Sequence, residues 1–246
     1  MTALSAPALQ VAAFGGIEEG LWGVAWGGSE LVAIVAGMDS GGRVAQATLA
    51  GVEPDDEWRL EGDDVAIALA PQGEPVATTT LDGFDQLCRV RGEASLGGSP
   101  RAVDCAGRRM TRAAGQLAGL DSIRDFSAWF AHADGVSLTA LRPADAEGHE
   151  RDALAAALFE PAGAAAVEDP RFSTTYDTAG VPSGVSLELW LEDEESGEAL
   201  PRRMAGRALG PAVSAQAGEQ RLIARAFRCF AHGLQGLGVY VLTRAA

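Results

Sequence analysis

Short apolar runs punctuated by glycine set the rhythm of this chain. Residues 30–36 (ELVAIVA) are β-branched and lie between GGS and GMDSGG. Residues 65–69 (VAIAL) follow an acidic EGDD turn and stop at Pro71. Residues 185–191 alternate: Val185, Leu187, Leu189 and Leu191 fall on one face, Ser186, Glu188 and Trp190 on the other. Period two marks a half-buried strand. The run GVYVLTR (238–244) predicts a further strand, and Asp134-Gly135 between WFAHA and VSLTAL signals a hairpin. The 31 glycines serve as turns between these runs. Strands and turns in this order predict an all-β barrel or sandwich. Only residues 150–159 (ERDALAAALF) favour a helix by propensity.

The two halves of the chain repeat one another in outline. VAWGGSELVAIVAG (24–37) resembles SAWFAHADGVSLTAL (127–141), with a tryptophan, a small turn and an apolar strand in each. GRVAQATLAG (42–51) then falls beside DALAAALFEPAG (152–163), and WRLEGDDVAIAL (58–69) beside FSTTYDTAGVPSGVSLEL (172–189). CRVRGEASLGG (88–98) falls beside RRMAGRALG (202–210). The four blocks keep their order, and the second copy has a longer hairpin. This comparison turns residues 152–159 into an expected strand, because tertiary context overrides propensity. The expected units are an N-terminal β half, 1–118, and a C-terminal β half, 119–246.

Composition narrows the function. The chain has 246 residues and a formal net charge of −15, so a positive field for nucleic acid or an anionic membrane is absent. All 19 basic residues are arginine, and asparagine is missing too, which we read as codon bias. Three cysteines, Cys88, Cys105 and Cys229, make no disulfide framework. No apolar run reaches about 18 residues, so no membrane insertion is expected. The first sixteen residues have no basic region of the signal-peptide type, and a cytoplasmic location is the expectation.

Few residues stand out chemically. His132 lies beside the predicted hairpin turn with Asp134 near it, either a solvated strand end or a general acid at a barrel mouth. His149 reads as loop. Cys229 and His232 have Cys-x-x-His spacing, but a zinc site needs three or four ligands, so no metal is expected. Cys105 reads as a small core residue, or as a thiolate activated by the adjacent Arg108 and Arg109. The acidic run LEDEESGEAL (191–200) reads as a solvated hairpin tip. Trp129, Tyr176 and Trp190 are the aromatic candidates for lining a cavity, against the plainer reading of core or partly covered surface.

The blocks AWFAHADGVSLTALRP (128–143) and DPRFSTTYDTAGVPSGVSLELWLED (169–193) resemble the two-part lipocalin-like proteins of the hydroxyneurosporene synthase and tocopherol cyclase type. The resemblance implies a duplicated lipocalin-like (calycin) antiparallel barrel with a pocket for an apolar, isoprenoid- or polyketide-like molecule. Members carry a Gly-x-Arg-x-His-Ser-Trp-Gly-like run at the joint of the halves. Here that place reads CAGRRMTRAAG (105–115): Gly107, Arg109 and Gly115 correspond, and the histidine, serine and tryptophan are missing. The inherited hydratase or cyclase chemistry is therefore not implied for this chain.

The resulting expectation is a cavity for a hydrophobic small molecule. It leaves open whether the chain only binds or is also a cyclase or isomerase that needs no cofactor. In the enzymatic case His132 acts as acid and Arg109 or Arg112 stabilises an anion, with Trp129, Tyr176 and Trp190 around the ligand. Otherwise the three arginines of the seam, Arg108, Arg109 and Arg112, face solvent or pair with the acidic surface. The competing expectation is a structural or protein-interaction β module without a pocket. A homodimer fits either reading.

Overall fold

The computed structural model describes residues 9–28, 31–78, 80–130, 134–192 and 199–245. Eight strands come first: β1 (Leu9–Gly16), β2 (Leu21–Gly27), β3 (Leu31–Gly37), β4 (Gly42–Ala50), β5 (Trp58–Gly62), β6 (Val65–Ala77), β7 (Gly83–Leu96) and β8 (Ser99–Arg112). Each pairs antiparallel with the next, and β8 returns to β1, so the sheet closes into a barrel. One 3₁₀ turn, Ala114–Gln116, leads to the second set. That set is β9 (Leu120–Trp129), β10 (Gly135–Pro143), β11 (Ala153–Glu160), β12 (Gly163–Val167), β13 (Asp169–Tyr176), β14 (Pro182–Glu192), β15 (Ala199–Ala217), β16 (Gln220–Ala231) and β17 (Leu234–Ala245). These form one sheet in the order β12-β11-β10-β9-β17-β16-β15-β14-β13. Only Glu168 separates β12 from β13; the chain leaves β11 there and joins β14, so the sheet curls nearly shut.

The duplicated all-β architecture expected from the sequence is present. The matched blocks take equivalent places: the β2–β3 hairpin answers to β9–β10, and β7 to β15. β1 lies between β2 and β8 just as β17 lies between β9 and β16. The first barrel thus begins with the strand that the second uses last. The alanine-rich run at 153–160 is a strand, held between β10 and β12. Pairing on both edges supplies what its side chains lack in β propensity. Pro71 does not end β6 as its position suggests. β5 pairs with β6 only as far as Leu69, so beyond it one edge of β6 is free and a missing N–H costs nothing there.

Alternation sorts every strand into two faces. Ala12, Phe14, Trp58, Leu60, Ile67, Leu69, Cys88 and Val90 fill the first lumen. Phe126, Leu138, Leu187, Phe227 and Tyr240 fill the second. The outer faces meet as a third core, in which Val11, Trp22, Val24, Trp26 and Ile34 of the first barrel pack on Leu222, Ala224, Leu237, Val239 and Val241 of the second. Each large side chain buried there contributes about 1.5–3 kcal/mol. β1–β3 are therefore covered on both faces, which explains their near-continuous apolar sequence. Gly15 sits at this contact, with Leu237 Cδ2 only 2.8 Å from where a Cβ would stand.

Candidate functional site

The arginines of the seam lie in β8, where alternation divides them. Arg108 and Arg112 point out of the first barrel toward the second, and Arg109 points into the first lumen. All three are buried, at 0%, 1% and 0% exposure. The expectation of solvated arginines is thus overturned: the second barrel covers the outer face of β8, and the partners come from distant strands. Arg108 Nε donates to Asp85 Oδ1 of β7 at 2.7 Å, and its Nη1 to Asp125 Oδ2 of β9 at 2.7 Å. Arg112 Nη2 donates to Asp85 and, at 3.2 Å, to Thr139 Oγ1 of β10. Thr139 in turn donates to Asp125 Oδ1 at 2.9 Å. Burial alone would raise the Asp85 carboxyl, but the charges and hydrogen bonds of Arg108 and Arg112 outweigh it and hold it below its ordinary 3.8. Two cations balance two anions in a closed network that spans both barrels.

Among the described residues Arg109 has no carboxylate partner. It donates to Gln86 Oε1 and to the carbonyls of Pro54 and Asp56, and its guanidinium lies 5.3 Å from the Trp58 ring. Trp58 Nε1 adds a bond to the Glu53 carbonyl at 3.0 Å. Together they tie the β4–β5 loop across one end of the first lumen. Cys105 faces the same lumen; burial and Glu19 push its thiol up to about 12, which removes the activated-thiolate reading.

The aromatic candidates fall in three separate places. Trp129 faces out of the second barrel into the seam and donates from Nε1 to the Gly15 carbonyl at 2.8 Å. Trp190 lies on the outer face of β14, with Arg171 5.2 Å from its ring. Tyr176 stands at one end of the second lumen beside Tyr240, whose phenol is 3.0 Å from Thr174 Oγ1 and is pushed up by burial. His132 lies outside the described residues, as does most of the acidic run 191–200. The catalytic expectation for His132 therefore has no described geometry.

The middle of the second lumen is filled by aromatic rings. Phe126, Phe172, Phe227 and Tyr240 pack with centroids 5.8–6.4 Å apart. They divide it into two ends of different chemistry. At one end Asp152, 2% exposed at its side chain, receives Arg124 at 2.6 Å and His149 Nδ1 at 2.9 Å, with Arg142 at 3.5 Å. His149, expected to be a loop residue, does sit in the β10–β11 connection, but it caps this ionic cluster. Arg124 and Asp152 escaped the sequence reading. Alternation in LDSIRDFSAW places Arg124 on the face of Phe126, and that signal was available.

At the other end lies an apolar cavity of about 240 Å³. Val136, Leu158, Leu189, Met204 and Leu234 line it from five strands, and Phe130 stands at its edge. Asp134, Glu160, Arg202, Arg203 and His232 ring the opening. His232 takes a positive φ of 47° with Gly233 at 79°, the geometry of a two-residue β16–β17 hairpin turn. Leu158 of β11, which pairs with β12, and Leu189 of β14, which pairs with β13, line the cavity on either side of the break between β12 and β13. Apolar walls under a charged rim make this the candidate site. Among the described residues no group of three His, Cys, Asp or Glu is placed to hold a metal ion.

No protein-family model and no curated protein matches the chain. Solved structures do. The chain is similar to kievitone hydratase from Nectria haematococca, with a TM-score of 0.63 and 10% identity over 97% of this chain and 89% of that one. It is similar to CghA crystallised with Sch210972, with a TM-score of 0.61 and 10% identity over 97% and 88% of the two chains. A putative AttH from Nitrosomonas europaea gives a TM-score of 0.61 at 10% identity over 96% and 90%. The shared fold is the tandem lipocalin-like double barrel.

Proposed function

We propose that this chain binds an apolar small molecule, terpenoid- or polyketide-like, at the mouth of its second barrel. The observation that carries the reading is the apolar cavity of about 240 Å³ beneath a charged rim. It lies just under the roughly 300–1,000 Å³ usual for drug-sized ligands, which suits a small or partly inserted molecule. The fold supports the reading, since CghA shares it and was crystallised with a small molecule, Sch210972. Kievitone hydratase, named as an enzyme, shares it too.

In the enzymatic form of this reading the chain works as a cyclase or isomerase without a cofactor. The apolar walls fold the substrate and bring its ends together. His132, two residues before the rim residue Asp134 in the sequence, supplies the proton. The bonded donors of Arg109 and Arg112 serve the β4–β5 loop and the seam, so this form of the reading gives the anion-stabilising role to neither. The interaction-module alternative needs a broad apolar exterior. The exposed large apolar side chains among the described residues are Ile17, Val44, Phe230 and Leu234, spread over three places.

The test is binding before catalysis. Native mass spectrometry of protein from its own host should show a co-purifying apolar molecule. Ala231→Trp, which fills the cavity from β16, should abolish its capture and leave the unfolding midpoint close to wild type. Undiminished capture by that variant would overturn the site. For the catalytic form, His132→Ala should abolish turnover of a candidate terpenoid or polyketide.

A further inference from the structure

The other barrel has its own open end. A cavity of about 440 Å³ lies between the β4–β5 loop, the β6–β7 hairpin and the end of β8. Its volume falls within the range of ligand pockets. Val52, Pro54, Pro75, Ala77 and Phe84 give it apolar walls. Its charged rim differs from that of the second barrel. Glu53 and Asp82 stand at the opening, and neither forms an ion pair among the described residues. Asp55 and Asp56 follow in the same loop.

Among the described residues no cation pairs with Glu53 or Asp82. Arg112 also borders the cavity, but its charge is met by Asp85. Arg109 lies in the lumen, bonded to Gln86 and to the backbone carbonyls of the loop, where its charge bears on Asp55 and Asp56 and leaves Glu53 and Asp82 unpaired at the rim. The rim is therefore an open negative field over an apolar hollow, in a chain whose net charge is already −15.

We propose that the mouth of the first barrel is a second binding site, for an amphiphile with a protonated amine and an apolar body. The alkyl or ring portion fills the hollow against Phe84, Pro75 and Ala77. The ammonium stays at the rim between Glu53 and Asp82, where it keeps part of its hydration. This site is separate from the one proposed in the second barrel and stands without it.

Calorimetric titration of the full chain at low ionic strength with octylammonium and with octanoate tests the proposal. Octylammonium should bind, and octanoate at least about tenfold more weakly. The double variant Glu53→Gln/Asp82→Asn should weaken octylammonium about fivefold, as two partly solvated charge contacts predict. Ala77→Trp should abolish its binding, and Ala231→Trp in the other barrel should leave it unchanged. No binding, equal binding of the two ligands, or amine binding that survives Ala77→Trp would overturn the proposal. Loss through Ala231→Trp would move the amine to the second barrel and overturn it as well. Thermal midpoints of all variants identify any that fail to fold; for such a variant, Pro75→Phe fills the same hollow.

Discussion

Arg108 of the first barrel and Asp125 of the second meet at 2.7 Å, both buried. This is the centre of the network that also holds Asp85, Arg112 and Thr139. Removing one charge strands another in a dry site, which costs about 3–5 kcal/mol. Arg108→Met should therefore lower stability by that amount, read as the shift of the urea midpoint at constant slope. Arg108→Met/Asp125→Leu removes both members and should cost less than Arg108→Met alone. A double variant less stable than the single would contradict the network as drawn.

The same network sets the acid limit. Asp85 is held below its ordinary 3.8 by two guanidinium groups, against the opposing pull of burial. A carboxyl with a lowered folded-state pKa stabilises fully above its unfolded value of about 3.9. That contribution is lost as pH falls through the folded value. Stability should therefore be flat in this respect from pH 7 to 5 and decline below about pH 4. Asp85→Asn should start lower at pH 7 and show a shallower decline, so the gap to wild type narrows at pH 3. Parallel pH profiles would rule Asp85 out as the responsible group.

How far the sequence carried can be argued from β8 itself. Alternation was enough to place strands, because period two needs only local information. The order of four similar blocks paired the two halves, as β2–β3 with β9–β10. The burial of Arg108 and Arg112 was not legible, since it depends on a second barrel covering an outer face that looks polar along one strand. Asp85 and Asp125 lie 23 and 17 residues from Arg108 and carry no motif that ties them to it. Trp129 misled for the same reason: its face of β9 could be assigned, but not what stood opposite. The apolar mouth was not legible: alternation separates Leu189 from Trp190, but it offers Trp190 for the cavity, whereas Leu189 lines it, and the break between β12 and β13 has no sequence mark.

Arg109 should act as a clasp on the β4–β5 loop. Its donors hold the Pro54 and Asp56 carbonyls, and Trp58 shares that task through the Glu53 carbonyl. Arg109→Met keeps apolar bulk beside Trp58 but loses the guanidinium and its bonds, at a cost of about 1–3 kcal/mol. A protease that cuts after acidic residues should then cleave at residues 53–57 several times faster than in wild type. Unchanged cleavage would show that Trp58 alone secures the loop.

The cysteines should be inert until the barrels open. Cys88 and Cys105 face the first lumen and Cys229 the second, and burial pushes all three thiols up. The thiolate is the reactive form, so a thiol reagent at pH 8 should find no fast-reacting group in the native protein. In denaturant all three should react. Rapid native labelling of Cys105 would restore the activated-thiolate reading.

Trp129 separates the seam from the ligand site. Its indole N–H spans the two barrels to the Gly15 carbonyl, and its ring belongs to the core between them. Trp129→Phe keeps most of the apolar area and deletes the donor. Losing a buried bond of this kind costs about 1 kcal/mol, or up to about 3 if the carbonyl finds no other partner. The urea midpoint should fall accordingly. Capture of the apolar ligand at the second mouth should stay within about twofold of wild type, because Trp129 faces away from that lumen. A variant of wild-type stability with ligand capture lost would return Trp129 to the binding site and place the ligand between the barrels instead.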